Sequence, residues 1–241
     1  MASKTIASLI LFDVDGTLLL TGGAGSRCIR WACLRVLGEE FEWNPVVAGR
    51  LDQRIYLDLA AACGIAGAGE KFDEYKAVYL AELQAELSQR RDDVTIMPGV
   101  RELLAELDAR ADVVVGLLTG NFQRATELKL SAARLDQSLF KVGAFAEDGD
   151  ERSDLVPVAM RKYERLTGEV MTPDRVILIG DTPRDIECAC QAGCRVLAVA
   201  TGHYSLEALQ AENPDAAVAT LEDAAPLWAM LEENSATDEH R

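Results

Sequence analysis

Residues 9–18 read Leu9-Ile10-Leu11-Phe12-Asp13-Val14-Asp15-Gly16-Thr17-Leu18. An apolar run ends in two carboxylates two residues apart, and Gly-Thr follows. The run over residues 6–12 is short and bounded, as in a strand buried on both faces of a parallel sheet. Asp13 falls where that strand ends. In open α/β sheets the carboxyl ends of the strands border the ligand crevice. Two acids there are costly without a positive partner. A hard divalent cation meets that need, and Mg²⁺ takes one or two carboxylates together with substrate phosphate. Gly16 permits a sharp turn, and Thr17 places a hydroxyl within reach of a bound molecule.

The chain around this stretch is ordinary in bulk and unusual in charge. Its 241 residues are 49% hydrophobic, with mean hydropathy +0.02, enough for one large domain or a core with a smaller insert. No apolar stretch reaches the length of a membrane span. Residues 6–12 are too short for the core of a signal peptide, so a cytoplasmic protein is expected. Against 24 basic residues stand 40 acidic ones, a net charge of −16. Nucleic acid is therefore excluded as a bulk partner, because phosphate backbones require basic patches. An anionic substrate would need a local positive site made of metal, Arg and backbone N–H groups. The six cysteines, Cys28, Cys33, Cys63, Cys188, Cys190 and Cys194, lack paired metal-site spacing and read as reduced, packed thiols.

Residues 21–26 are Gly-rich without the Lys of a phosphate-binding P-loop, and read as a hinge before a helix. Ile29, Ala32, Cys33, Val36 and Leu37 then recur at helical spacing, with Gly38 as a stop. A second helix is expected over residues 51–62. A third, with the stripe Phe72, Tyr75, Tyr79, Leu83 and Leu87, is expected between residues 70 and 90. From residue 98 helices and apolar strands alternate. Strands are expected at residues 113–118, 140–145, 176–179, 195–200 and 216–219, and a terminal helix at 221–231. Alternating units of this kind imply a parallel sheet covered by helices on both faces. The expected architecture is an α/β, Rossmann-like parallel core (residues 1–17 and 92–233). An all-helical cap is inserted at residues 18–91, and residues 234–241 form a flexible tail.

Four clusters then fall at strand ends or in loops: Asp13 with Asp15, Thr119-Gly120-Asn121, Arg152, and Gly180-Asp181 with Asp185. In a parallel sheet these ends share one rim. Their chemistry matches phosphoryl transfer. Mg²⁺ between Asp13, Asp181 and phosphoryl oxygens would neutralise charge before a carboxylate attacks. Thr119 and the N–H groups of Gly120 and Asn121 would cradle phosphate, and Arg152 would add a fixed cation. Asp15 would protonate the leaving oxygen and then activate water. Each residue also has an ordinary role: Thr119 and Asn121 as helix caps, Asp181 and Asp185 as first-turn acids, Arg152 as a surface ion pair.

Taken in order, Asp13-Val14-Asp15-Gly16-Thr17, Thr119 after Val115-Gly116-Leu117-Leu118, Arg152, and Gly180-Asp181 with Asp185 resemble the haloacid dehalogenase-like phosphatases over nearly the whole chain. The resemblance implies an aspartyl-phosphate mechanism, with Asp13 as nucleophile and Asp15 as acid/base. The Asp15 backbone carbonyl joins Asp13, Asp181 and Asp185 around Mg²⁺, and the helical insert closes over a small phosphorylated metabolite. Many members carry Lys followed closely by Pro at the third motif, where this chain has Arg152-Ser153-Asp154; Lys141 and Arg161 lack the expected place at the start of a helix. Residues 21–25, Gly49-Arg50-Leu51-Asp52 and Thr201-Gly202-His203-Tyr204 are most similar to phosphoglycolate phosphatase-like members. By that similarity Arg50 is a candidate for reading a substrate carboxylate, and 2-phosphoglycolate a candidate substrate. A phosphomutase using the same intermediate is the nearest alternative. A non-enzymatic phosphate- or metal-binding regulator, built like an acidic receiver module, is the alternative of a different class. No residue pattern assigns an oligomeric state.

Overall fold

A computed structural model describes residues 8–38 and 47–238, with side chains described to residue 234. Expectations for residues 1–7, 39–46 and 239–241 lie outside the described residues. Strand β1 (Ser8–Phe12) leads through the Asp13 turn into a short strand, β2 (Leu19–Leu20). Helices α1 (Ala24–Leu37), α2 (Asp52–Ala62) and α3 (Phe72–Gln89) follow. Strand β3 (Thr95–Ile96) then returns antiparallel to β2 and closes the helical segment with a two-stranded ribbon. Two residues per strand are too few for an alternation to register in the sequence.

The remainder alternates as expected: α4 (Val100–Asp108), β4 (Val113–Leu118), α5 (Gln123–Ala133), β5 (Val142–Ala144), α6 (Leu155–Thr167), β6 (Val176–Gly180), α7 (Pro183–Ala192), β7 (Arg195–Val199), α8 (Leu206–Ala211), β8 (Ala216–Val218) and α9 (Ala225–Asp238). The strand order is β5-β4-β1-β6-β7-β8, and every pairing is parallel. β1 therefore occupies the middle of the sheet although the helical segment separates it in sequence from its partners. Two elements depart from expectation. Helix α8, capped by Ser205, was not anticipated. Helix α9 starts four residues later than expected and runs to Asp238, into the expected tail. Leu221 instead packs as a buried turn residue, with its backbone hard against Gly99.

Side chains alternate across the sheet because successive strand residues point to opposite faces. Ile10, Phe12, Ile177 and Ile179 pack with α4 and α9 on one face. Leu9, Leu11, Val176 and Leu178 belong to the other face, whose apolar cluster continues without a break into α1, α2 and α3. Within it, Tyr56 stacks on Tyr75 at 4.2 Å between ring centroids. The helical segment thus shares a buried core with the sheet. Among the described residues no helix is long and apolar enough to cross a membrane.

Candidate active site

Asp13 directly follows β1, and its N–H donates to Ile179 O at 2.9 Å, extending the β1–β6 ladder by one residue. The chain then turns back on itself: Leu18 N and Leu19 N both donate to Val14 O, and Gly16 N donates to Leu19 O. Gly16 has φ +89°, and a Cβ there would overlap Asp181 Oδ2. Both constraints demand glycine at that position. Gly202 meets the same carboxylate from the loop after β7, and Thr201 Oγ1 donates to Gly16 O at 2.6 Å. Asp181 is therefore walled by two glycines, with room for no side chain between them and its oxygens.

Asp13, Asp181 and Asp185 are all buried and can present oxygens within 4.8 Å of one another. Burial pushes Asp13 up to about 6, with Arg152 opposing and Asp185 and Asp15 adding to the rise. Burial pushes Asp181 up to about 8, with Asp13 and Asp185 adding. A carboxylate cluster this short of positive charge fits a divalent cation with oxygen ligands. Thr17, expected near a bound molecule, instead donates its hydroxyl to Asp181 Oδ1 at 3.2 Å. Asp185 is more heavily committed. Its Oδ2 accepts from Thr182 N and Oγ1 at 3.1 and 2.7 Å in a capping box at the start of α7. Its Oδ1 accepts from Arg152 Nη2 at 2.5 Å. The residues best placed to hold a cation directly are therefore Asp13 and Asp181, with Asp185 behind them.

Arg152 begins a helical turn before α6, where Asp154 Oδ2 caps the N–H groups of Asp150 and Glu151. The acids that crowd this loop in sequence thus fold it, and the guanidinium turns inward. Its Nη2 lies 3.1 Å from Asp13 Oδ1, and Nη1 donates to Gly49 O at 3.2 Å. Burial disfavours the cation, but the carboxylates of Asp185 and Asp13 outweigh it and hold the charge more firmly than usual. The structure brings Arg152 to Asp13 without the Lys-Pro pattern.

Thr119 follows β4 and extends the ladder to β5 through its N–H to Ala144 O. Its Oγ1 accepts from Asn121 Nδ2 at 2.9 Å and from Asn121 N at 3.4 Å, so its own proton is free to be donated. Asn121 Nδ2 also donates to Asp15 Oδ2 at 2.7 Å, and its Oδ1 accepts from Lys129 Nζ at 2.7 Å. Lys129 Nζ reaches the same Asp15 oxygen at 2.5 Å. Asp15 Oδ1 has no partner among the described residues. Gly120 lies beneath the Arg50 carbonyl, where a Cβ would overlap it, and its own carbonyl accepts from Asp52 N at 2.7 Å.

Lys129 and Asp52 are the residues that the sequence reading missed. Lys129 lies on the buried stripe of α5 with Ala125 and Ala133, four residues to either side. A Lys at that spacing is the signal that was available. Asp52, at the start of α2, accepts from Phe122 N at 2.9 Å. Burial pushes it up to about 7, against Lys129 and that N–H. Arg50, by contrast, spends its guanidinium on an ion pair with Asp58. A cavity of about 320 Å³ unites Asp13, Asp15, Thr119, Asn121, Arg152 and Asp181.

A sequence profile described as haloacid dehalogenase-like hydrolase matches residues 10–199 of this chain. The phosphoglycolate phosphatase of Synechococcus elongatus is 27% identical over 208 residues, 86% of this chain and 90% of that protein. Among solved structures, CbbY from Rhodobacter sphaeroides in complex with phosphate superposes with TM-score 0.70 at 21% identity, covering 94% of this chain and all of that one. A haloacid dehalogenase-like family protein from Streptococcus pneumoniae gives TM-score 0.63 at 17% identity, covering 92% and 98%.

Proposed function

Because this chain belongs to the haloacid dehalogenase-like hydrolases, we propose that it is a Mg²⁺-dependent phosphatase of small phosphate monoesters acting through an aspartyl phosphate on Asp13. One observation carries the reading. Asp13 stands at the end of the central strand with a buried guanidinium on one oxygen and a second buried, cation-deficient carboxylate, Asp181, within reach. That is the environment a carboxylate nucleophile needs when its target is itself anionic. The named relative from Synechococcus elongatus supports 2-phosphoglycolate as the substrate to try first.

Mg²⁺ held by Asp13, Asp181 and the Asp15 backbone carbonyl would offset the charge of the phosphoryl oxygens. Thr119 has its hydroxyl proton to give one of those oxygens, and Arg152 fixes the orientation of the Asp13 carboxylate. In the first step an Asp13 oxygen bonds to phosphorus as the ester P–O bond breaks, and Asp15 passes a proton to the departing alkoxide. In the second step water attacks the phosphoryl group, Asp15 recovers a proton from that water, and the P–O bond to Asp13 breaks. Asp15 is suited to both steps: Lys129 and Asn121 anchor its Oδ2 and leave Oδ1 to carry the proton. Helices α1–α3 act as the cap over the cavity, consistent with a cytoplasmic enzyme acting on a soluble metabolite.

The test is phosphate release with Mg²⁺ from 2-phosphoglycolate, sugar phosphates, nucleoside monophosphates and an aryl phosphate. Turnover by the unaltered protein and its loss in Asp13→Asn, with the far-ultraviolet circular dichroism unchanged, is the expected result. Substantial release by Asp13→Asn would overturn the nucleophile assignment. Phosphate moved to a second hydroxyl instead of to water would assign a mutase.

A further inference from the structure

The cavity around Asp13 is walled in part by groups that keep donors beyond those the phosphoryl step uses. Lys129 is one: its side chain is 3% exposed, and of its three N–H bonds two go to Asp15 and Asn121. The third has no acceptor among the described residues. Tyr79, on α3, lines the same cavity, is wholly buried, and its hydroxyl has no hydrogen-bond partner among the described residues. The N-terminus of α1 borders the cavity through Gly25 and Ser26. Among the described residues no side chain caps that helix, and its first turn holds no acid. Ala24 N donates to Thr21 O and Arg27 N to Gly23 O, so the N–H groups of Gly25 and Ser26, with the positive end of the dipole, are left for an outside acceptor. Lys129 Nζ lies 3.4 Å from where a Cβ on Gly25 would stand, so ammonium and helix start face each other.

Buried polar groups are almost always paired, and each exception needs an account. Here an ammonium, a phenol and a helix start leave donors unspent around one cavity. Asp52, the remaining carboxyl in this wall, is anchored on Phe122 N and bonds neither Lys129 nor Tyr79. Around Lys129, Tyr79 and the start of α1, as distinct from the carboxylates of Asp13 and Asp181, the unspent groups are donors, and what would meet them is a small anion. Arg50 lines the same cavity, with its guanidinium paired to Asp58.

We propose that Lys129, Tyr79 and the N-terminus of α1 form a second anion subsite that takes a carboxylate carried on the alcohol part of the phosphate ester. The subsite rests on the phosphatase reading for its placement beside Asp13. It narrows the substrate class to short phospho-acids, since about 320 Å³ must hold both anionic ends.

The test is calorimetric binding to the full-length Asp13→Asn protein with Mg²⁺, comparing 2-phosphoglycolate with ethyl phosphate, in which a methyl replaces the carboxylate. A charge-assisted hydrogen bond predicts that the phospho-acid binds about tenfold tighter or more. Tyr79→Phe in the same background lowers that ratio about threefold or more, because it removes a hydroxyl donor to the charged carboxylate. Lys129→Met brings it close to unity. Equal binding of the two ligands, or a ratio that Tyr79→Phe leaves unchanged, overturns the subsite. Failure of the phosphatase reading looks different. No ester, the aryl phosphate included, would be turned over by the unaltered protein, while the binding preference would survive.

Discussion

Replacing Arg152 by Met keeps most of the side-chain volume and removes the charge between Asp13 and Asp185. The guanidinium is buried, with Nη2 at 3.1 Å from one carboxylate and 2.5 Å from the other. Removing one partner of a buried ion pair costs about 3–5 kcal/mol, because the remaining charge is left uncompensated. For a chain of this size each kcal/mol moves the melting temperature by about 2–4 °C, so the expected loss is roughly 6–20 °C. The loss must also depend on pH. Asp13 and Asp181 have folded-state pKa values raised to about 6 and about 8 from the usual 3.8, so the folded state binds more protons than the unfolded one. Stability from these groups is therefore fully present below about pH 4 and is lost as pH rises through about 6 to 8. Arg152 opposes both shifts, so without it the fall with pH is steeper. Urea denaturation in EDTA, followed by circular dichroism, should show Arg152→Met strongly destabilised at about pH 8 and much less so at about pH 5. A loss below about 1 kcal/mol at the higher pH, or the same loss at both, would refute the argument.

Two further outcomes follow from the same cluster. Mg²⁺ competes with protons for Asp13 and Asp181, so the melting-temperature gain from added Mg²⁺ should grow between about pH 5.5 and about pH 8; a gain that is constant or shrinks would exclude these acids as its ligands. Gly202→Ala places a methyl on Asp181 Oδ2, so the Mg²⁺ concentration giving half-maximal phosphate release should rise about tenfold or more; an unchanged value would show that Asp181 is not held where the cation binds.

The sequence exposed those parts of the site that follow apolar strands. Asp13, Thr119 and Asp181 each end a buried run, and in a parallel sheet that fact alone gathers them on one rim. Arg152 was legible through its place before α6, although its acidic neighbours disguised it until Asp154 proved to be a backbone cap. Lys129 was not read because its environment is made by other elements. The turn carrying Asp15 and the loop carrying Asn121 supply its partners from 114 and 8 residues away. Asp52 was lost for the same reason, its acceptor role being fixed by Phe122 N–H across 70 residues. Arg50 lines the cavity as its place before α2 suggests, and its local ion pair with Asp58 is a contact that spacing alone does not reveal. The β2–β3 ribbon escaped because two-residue strands carry no periodicity.

Arg152 also touches the stretch leading into α2. Its Nη1 donates to Gly49 O while its Nη2 meets Asp13 and Asp185. A guanidinium is flat and rigid, so its two ends cannot turn independently. Any outward shift of Gly49 leaves Nη1 without its acceptor, and a swing to recover one draws Nη2 away from Asp13. Seating of the helical segment and readiness of Asp13 are therefore one coordinate read at its two ends. Under the proposed mechanism such a linkage has a kinetic consequence: the carboxylate would be held for attack only while the segment is seated, and idle reaction with water or a stray ester would be suppressed until then.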